Sequence, residues 1–114
     1  IDGGSPTTVE FISGTKPLPP SRIDLIISHA LAAQFLGMNF LYLEAGSGAK
    51  KRVPNDVIEM VTKECQLDVI VGGGIKTPSD ANELAQSGAS FVVVGSAIEN
   101  SIESMNDFAS AIHH

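Results

Sequence analysis

Tryptophan is absent from this sequence, tyrosine and cysteine occur once each, and basic residues are few. Each shortage excludes something. A lone Cys65 makes no internal disulfide, so there is no disulfide framework, and the usage fits a reducing compartment such as the cytoplasm. Seven Lys and Arg against 13 Asp and Glu leave a formal charge of −6. With so few aromatics and no extended basic run, that balance speaks against nucleic acid as a partner. No apolar stretch approaches the roughly 18 residues of a membrane-spanning helix. The opening Ile1-Asp2-Gly3-Gly4 has no basic region followed by an apolar run, so no signal peptide is expected. It also lacks an initiator Met, as an internal piece of a longer chain would. Histidine is limited to His29, His113 and His114, which leaves no zinc constellation.

What remains is sufficient for one small globular domain: 114 residues, of which 43% are hydrophobic and 18% charged. Two patterns alternate along it. Asn39 to Leu43, Asp68 to Val71 and Phe91 to Val94 are short, nearly continuous apolar runs. They read as parallel strands covered on both faces. Each runs into glycine: Gly46 and Gly48, then Gly72-Gly73-Gly74, then Gly95. Between the runs lie helical patterns. Ser21 to Leu36 places Ile23, Ile26, Ile27, Ala30, Leu31 and Leu36 on one face, with Ser21 as a cap and Gly37 as the stop. Pro54 to Lys63 is a shorter helix with Pro54 near its first turn. Thr77-Pro78-Ser79-Asp80 opens another, ended by Gly88, and Ile102 to Ile112 is the last. Val9 to Ser13 alternates like a short strand, although the surrounding prolines fit a long loop equally well. Alternating strands and helices imply a parallel α/β sheet, either open and doubly wound or part of a (β/α)8 barrel. A whole barrel takes about 250 residues. The pattern here holds three clear βα units and the tail of a fourth.

In such folds the functional face lies at the carboxyl ends of the strands, where all three glycine clusters fall. Glycine permits close backbone approach, and amides near a helix N-terminus bind anions. Two successive strands ending in Gly72-Gly73-Gly74 and Gly95-Ser96 match the phosphate site that barrels often build after strands 7 and 8. The plainer alternative is a set of tight turns. No glycine run precedes Lys-Ser or Lys-Thr, so a P-loop is not supported. Glu44 ends an apolar run just before this face, with Tyr42 on the same strand face. It is placed to accept a substrate hydroxyl or act as a general base. Its other reading is a helix cap, or a partner for Lys50, Lys51 or Arg52. That basic cluster is itself either a solvated turn or an attractor of phosphate or diphosphate. His29 reads as packed or solvated, Cys65 lacks a His partner for nucleophilic chemistry, and Asp2, Glu10 and Asp24 show no metal spacing.

Three segments then become specific. Tyr42-Leu43-Glu44-Ala45-Gly46-Ser47-Gly48-Ala49, Val71-Gly72-Gly73-Gly74-Ile75 and Val94-Gly95-Ser96-Ala97-Ile98-Glu99 resemble the geranylgeranylglyceryl phosphate synthase family. Gly3 to Ile12 and Ala30 to Gly37 resemble it too, so the likeness spans the whole chain. It corresponds to the carboxyl-terminal half of the family's parallel (β/α)8 TIM-type barrel, with residues 1–114 as a single domain. The resemblance implies a prenyltransferase that joins sn-glycerol 1-phosphate to geranylgeranyl diphosphate with Mg²⁺, forming the first ether bond of archaeal membrane lipids. By the same resemblance, Tyr42, Leu43, Glu44, Ala45, Gly46, Ser47 and Gly48 hold the glycerol phosphate. Tyr42 and Glu44 lie near its hydroxyls, and Glu44 either takes the hydroxyl proton or only orients the hydroxyl. Gly73, Gly74, Gly95 and Ser96 contact the phosphate. The family usually has Asn where Ser96 stands, which puts one side-chain contact in doubt. Its Mg²⁺-binding Asp lies on a first barrel strand that has no counterpart here, so no metal ligand is assigned. Ile1-Asp2 then ends the fifth strand and residues 3–20 form a βα loop. The resemblance further implies a cytoplasmic homo-oligomer with peripheral membrane contact for its lipid substrate. The 114 residues alone are expected to be inactive. The rival readings are another phosphate-handling barrel, such as a sugar-phosphate isomerase or lyase, and a non-catalytic half-barrel.

Overall fold

The computed structural model describes residues 1–4, 16–46, 48–95 and 102–113. Among these residues four helices and three strands alternate: α1 (Ile23–Phe35), β1 (Phe40–Glu44), α2 (Asn55–Glu64), β2 (Asp68–Gly72), α3 (Pro78–Ser87), β3 (Phe91–Val93) and α4 (Ile102–Ile112). Each agrees with the apolar periodicity to within a residue or two at its ends. Asn39 and Val94 fall just outside their strands, and Gly72 is drawn into β2. The segment Val9 to Ser13 lies outside the described residues.

Local chemistry accounts for most of the boundaries. Gly37 adopts φ 84°. Its amide bonds the Gln34 carbonyl while Met38 bonds Ala33, so the last turn of α1 closes in the two-bond pattern a left-handed residue allows. Leu36 thereby leaves the helix face and stands exposed, contrary to the sequence expectation. Ser21 is not the cap either. Arg22 occupies that position with no side-chain cap bond, and its guanidinium is engaged by Asp24 instead. The start of α3 is the better-built end. The Thr77 hydroxyl accepts from the Asp80 amide and the Asp80 carboxylate accepts from the Thr77 amide, a complete capping box with proline next in line. Gly88, at φ 120°, then stops the helix.

The sheet is parallel in the order β1-β2-β3. Ile26 and Ala30 of α1, Val57, Ile58 and Val61 of α2, and Ala81 and Leu84 of α3 form one core with Leu43, Val69 and Val71 of the sheet. Strand order follows chain order and the helices share one face, the winding of a barrel rather than of a doubly wound sheet. The fold is thus parallel α/β of the (β/α)8 type, represented by part of its circumference.

The strands were expected to be covered on both faces. Instead the face away from the helices carries Phe40, Tyr42, Phe91 and Val93, each about half exposed. Phe40 and Phe91 lie with ring centroids 6.3 Å apart across it. This is the surface that a closed barrel turns inward and fills with side chains. Ile1-Asp2 does not form an assigned strand. The Ile1 amine bonds the Glu44 carbonyl and Lys51 bonds Gly3, so this short segment lies beside the end of β1 with too few ladder bonds to count as one. Among the described residues no helix is long and apolar enough to cross a membrane.

Candidate functional site

The parallel register puts Glu44, Gly72 and Val93 in one row across the open face, with Tyr42 and Ile70 in the row below. Gly72 therefore leaves a gap in the upper row. A Cβ there would fall 2.5 Å from the Tyr42 hydroxyl and 2.8 Å from Glu44 Oε2. Both side chains lean across the space that a larger residue would fill. Burial, then the hydrogen bond and negative charge of Glu44, push the Tyr42 phenol above its ordinary pKa. Tyr42 is thus a neutral donor beside an acceptor at neutral pH.

Glu44 is held from its own loop as well. Its Oε1 accepts the Gly46 amide at 2.8 Å, and the Ala49 amide returns to the Gly46 carbonyl. It enters no ion pair among the described residues, so the reading of Glu44 as a partner for the nearby cations is set aside. The glycine run after β2 is shaped by this loop. At Gly73 (φ 86°) a Cβ would lie 2.5 Å from Glu44 Oε1 and 2.7 Å from the Gly46 backbone. At Gly74 (φ 71°) it would lie 2.9 Å from the backbone of Lys51 and Arg52. Only glycine tolerates both the conformation and the approach.

The three strand ends enclose a cavity of about 370 Å³. Of the residues singled out from sequence, Tyr42, Glu44, Gly48, Gly73, Gly74 and Gly95 line it. Leu43 and Ala45 do not. They are 5% and 3% exposed and belong to the core, because alternate strand positions face the helices. Gly46 acts at one remove, through its bond to Glu44. Ser47 and Ser96 lie outside the described residues. Ala49, Ile75, Lys76, Val93 and Val94 complete the wall and were missed. Lys76 had a signal, a cation two residues beyond a glycine run at a strand end. The basic cluster divides. Arg52 turns inward to Asn55, Glu83 and Asp80, while Lys50 and Lys51 stay exposed.

The remaining candidates have structural partners. His29 Nδ1 contacts the Leu25 carbonyl on an exposed helix face, and Asp2 accepts the Gly4 amide. Cys65 is buried, and burial with the Glu64 charge pushes its thiol pKa up, away from nucleophilic use. Among the described residues no three His, Cys, Asp or Glu side chains converge to hold a metal ion. The donor set among the described residues does not fit a resident Mg²⁺.

The family model described as PcrB family matches residues 6–112. The chain belongs to the PcrB family. Its relatives named geranylgeranylglyceryl phosphate synthase include one from Chitinophaga pinensis, 40% identical over 99% of this chain and 45% of its own length. Another, from Methanosphaera stadtmanae, is 49% identical over 81% of the chain and 38% of its own length. The chain thus spans less than half of these PcrB relatives. Among solved structures, the geranylgeranylglyceryl phosphate synthase of Thermoplasma acidophilum, in complex with its substrate sn-glycerol-1-phosphate, superposes with a TM-score of 0.87. It is 38% identical, over 93% of this chain and 44% of that one. The Thermoplasma volcanium enzyme gives 0.77 at 34% identity, over 93% of this chain and 41% of its own.

Proposed function

We propose that this chain is the carboxyl-terminal half-barrel of a prenyltransferase that alkylates sn-glycerol 1-phosphate with geranylgeranyl diphosphate, and that it supplies the glycerol-phosphate pocket. One observation carries the reading: three strand-end glycine loops meet a Tyr42–Glu44 pair at a single cavity of about 370 Å³. The glycine backbones after β2 and β3 receive the phosphate, and Tyr42 and Glu44 receive the glycerol hydroxyls. The glycerol 3-hydroxyl oxygen then bonds the allylic carbon as the carbon–oxygen bond to diphosphate breaks. The electron pair leaves with diphosphate and the hydroxyl proton passes to the Glu44 carboxylate. Glu44 is fixed by Gly46, so it orients the nucleophile at little entropic cost at the moment of reaction. A Mg²⁺ ion would have to take its ligands from outside the described residues, and would there offset the charge of the diphosphate. Residence in the cytoplasm and self-association belong to the same proposal.

The test is a binding titration of the purified chain, followed by protein NMR. Saturable, Glu44-dependent shifts with sn-glycerol 1-phosphate, and weaker response to its enantiomer and to sugar phosphates, are expected. Equal response to sugar phosphates would favour an isomerase or lyase site. No ether product is expected from the 114 residues alone, and turnover by a mass-verified sample overturns the half-barrel assignment.

A further inference from the structure

Four of the seven basic residues of this acidic chain, Lys50, Lys51, Arg52 and Lys76, gather at the carboxyl end of the sheet. They border an open groove of about 580 Å³ that shares Gly74 and Lys76 with the glycerol-phosphate cavity. Their charges are not equally available. Arg52 is 17% exposed at its side chain and is spent on Asp80 and Glu83. Asp80 is in turn held by the Lys76 and Thr77 amides, and Asp56, also on the groove, accepts the Val57 amide. Lys50, Lys51 and Lys76 are exposed and enter no ion pair among the described residues. A side-chain bond runs from Lys76 Nζ to the Lys50 carbonyl and pins two of the three to one rim.

We infer that this lysine rim docks the open end of the site onto an anionic lipid surface. The inference rests on the proposed function, since a lipid alkyl donor must reach the cavity from a bilayer. The charge distribution selects the surface over a discrete phosphate. Three ammonium groups on flexible stems along an open groove suit a diffuse layer of headgroups, whereas a single phosphate is held by converging, preorganised donors. The rest of this chain carries more acidic than basic residues, so of the surfaces described this rim is the one that a negative bilayer attracts. Each lysine near such a surface strengthens binding about fivefold, so three give about a hundredfold before the repulsion of the acidic remainder is subtracted. The contact is weak, reversible and sensitive to salt.

The experiment is co-sedimentation of the purified chain with vesicles of phosphatidylcholine alone, or with roughly one-third phosphatidylglycerol, at low and high salt. At least fivefold more chain is expected on the anionic vesicles at low salt, and the excess disappears at high salt. Lys50→Glu/Lys51→Glu abolishes that excess, and Lys63→Glu, at the far end of α2, does not. Equal binding to neutral vesicles would mean adsorption through the apolar sheet face and would overturn the inference. So would release by inorganic diphosphate at concentrations too low to alter ionic strength, which marks a discrete anion subsite. A parallel titration with sn-glycerol 1-phosphate separates the two readings. Lysine-dependent vesicle binding without it retains the surface and removes the assigned substrate, and the reverse pattern removes only the surface.

Discussion

Glu44 and Gly72 face each other across one rung of the parallel sheet, and the missing side chain of Gly72 is the space into which the Glu44 carboxylate and the Tyr42 hydroxyl lean. The atoms that a new Cβ would strike are the ends of two side chains and not backbone. Gly72→Ala should therefore be absorbed by swinging Tyr42 and Glu44 aside. The expected cost in stability is about 1 kcal/mol or less, with a loss of the proposed glycerol-phosphate binding of about tenfold or more, one pKa-sized unit of interaction energy. Thermal unfolding and a ligand titration on the same sample check it. A large fall in Tm with intact binding would assign Gly72 to the fold instead.

Gly73 behaves in the opposite way. Its φ of 86° is in the left-handed region, and its neighbours include the Gly46 backbone, which cannot swing away. Gly73→Ala is expected to destabilise by about 1–3 kcal/mol, from the conformation together with the clash. Denaturant unfolding should register this as a lower midpoint at unchanged slope. Adjacent glycines in one motif thus answer to different constraints.

Tyr42 offers a direct spectroscopic reading of the site. It is the single tyrosine in a chain without tryptophan, so phenolate absorbance reports it alone. Burial, with Glu44 adding to it, raises its folded pKa above the unfolded value. The corresponding stability is fully present below about pH 10, the unfolded value, and is lost as pH rises through the folded one. Glu44→Gln removes the neighbouring charge and leaves the burial. The titration should move down toward the ordinary value without reaching it. A curve that does not move would separate Tyr42 from Glu44.

The part of this architecture legible in the sequence is the part set by short-range rules. The period of α1, the Thr77 cap, the stops at Gly37 and Gly88, and the shared face of Tyr42 and Glu44 all depend on residues within a turn or two of one another. Strand alternation also carries the information that Leu43 and Ala45 point into the core, but a motif read as one block conceals it. Ser21 failed as a cap because the helix begins one residue later than its position requires. The choice between an open sheet and a barrel needed strand order, which no local pattern contains. Lys76 reaches the cavity only because β2 lies beside β1, and the role of Gly72 exists only in the register between them.

Arg52 shows the same limit and supports a final prediction. In sequence it is one of three adjacent cations. In the fold its guanidinium bonds the Val53 carbonyl and Asn55 at the start of α2, and Glu83, 31 residues away on α3, with Asp80 at 3.6 Å. It fastens the loop behind Glu44 to the helix that follows the glycine run. Arg52→Gln is expected to cost about 1–2 kcal/mol, the scale of a few charge-assisted bonds discounted for the exposure of Glu83. The effect should also depend on acid. Burial tends to raise the Asp80 pKa, but the Lys76 and Thr77 amides, the Thr77 hydroxyl and the Arg52 charge together hold it below the usual carboxylate range. That stability is present above about pH 4 and is lost as pH falls through the lower folded value. Removing Arg52 withdraws one of the groups holding Asp80 ionised, so acid unfolding followed by circular dichroism should begin at higher pH in Arg52→Gln. A parallel downward shift in stability at all pH values, with the acid limb unmoved, would mean that the Thr77 cap holds Asp80 unaided and that Arg52 acts only through Glu83 and Asn55.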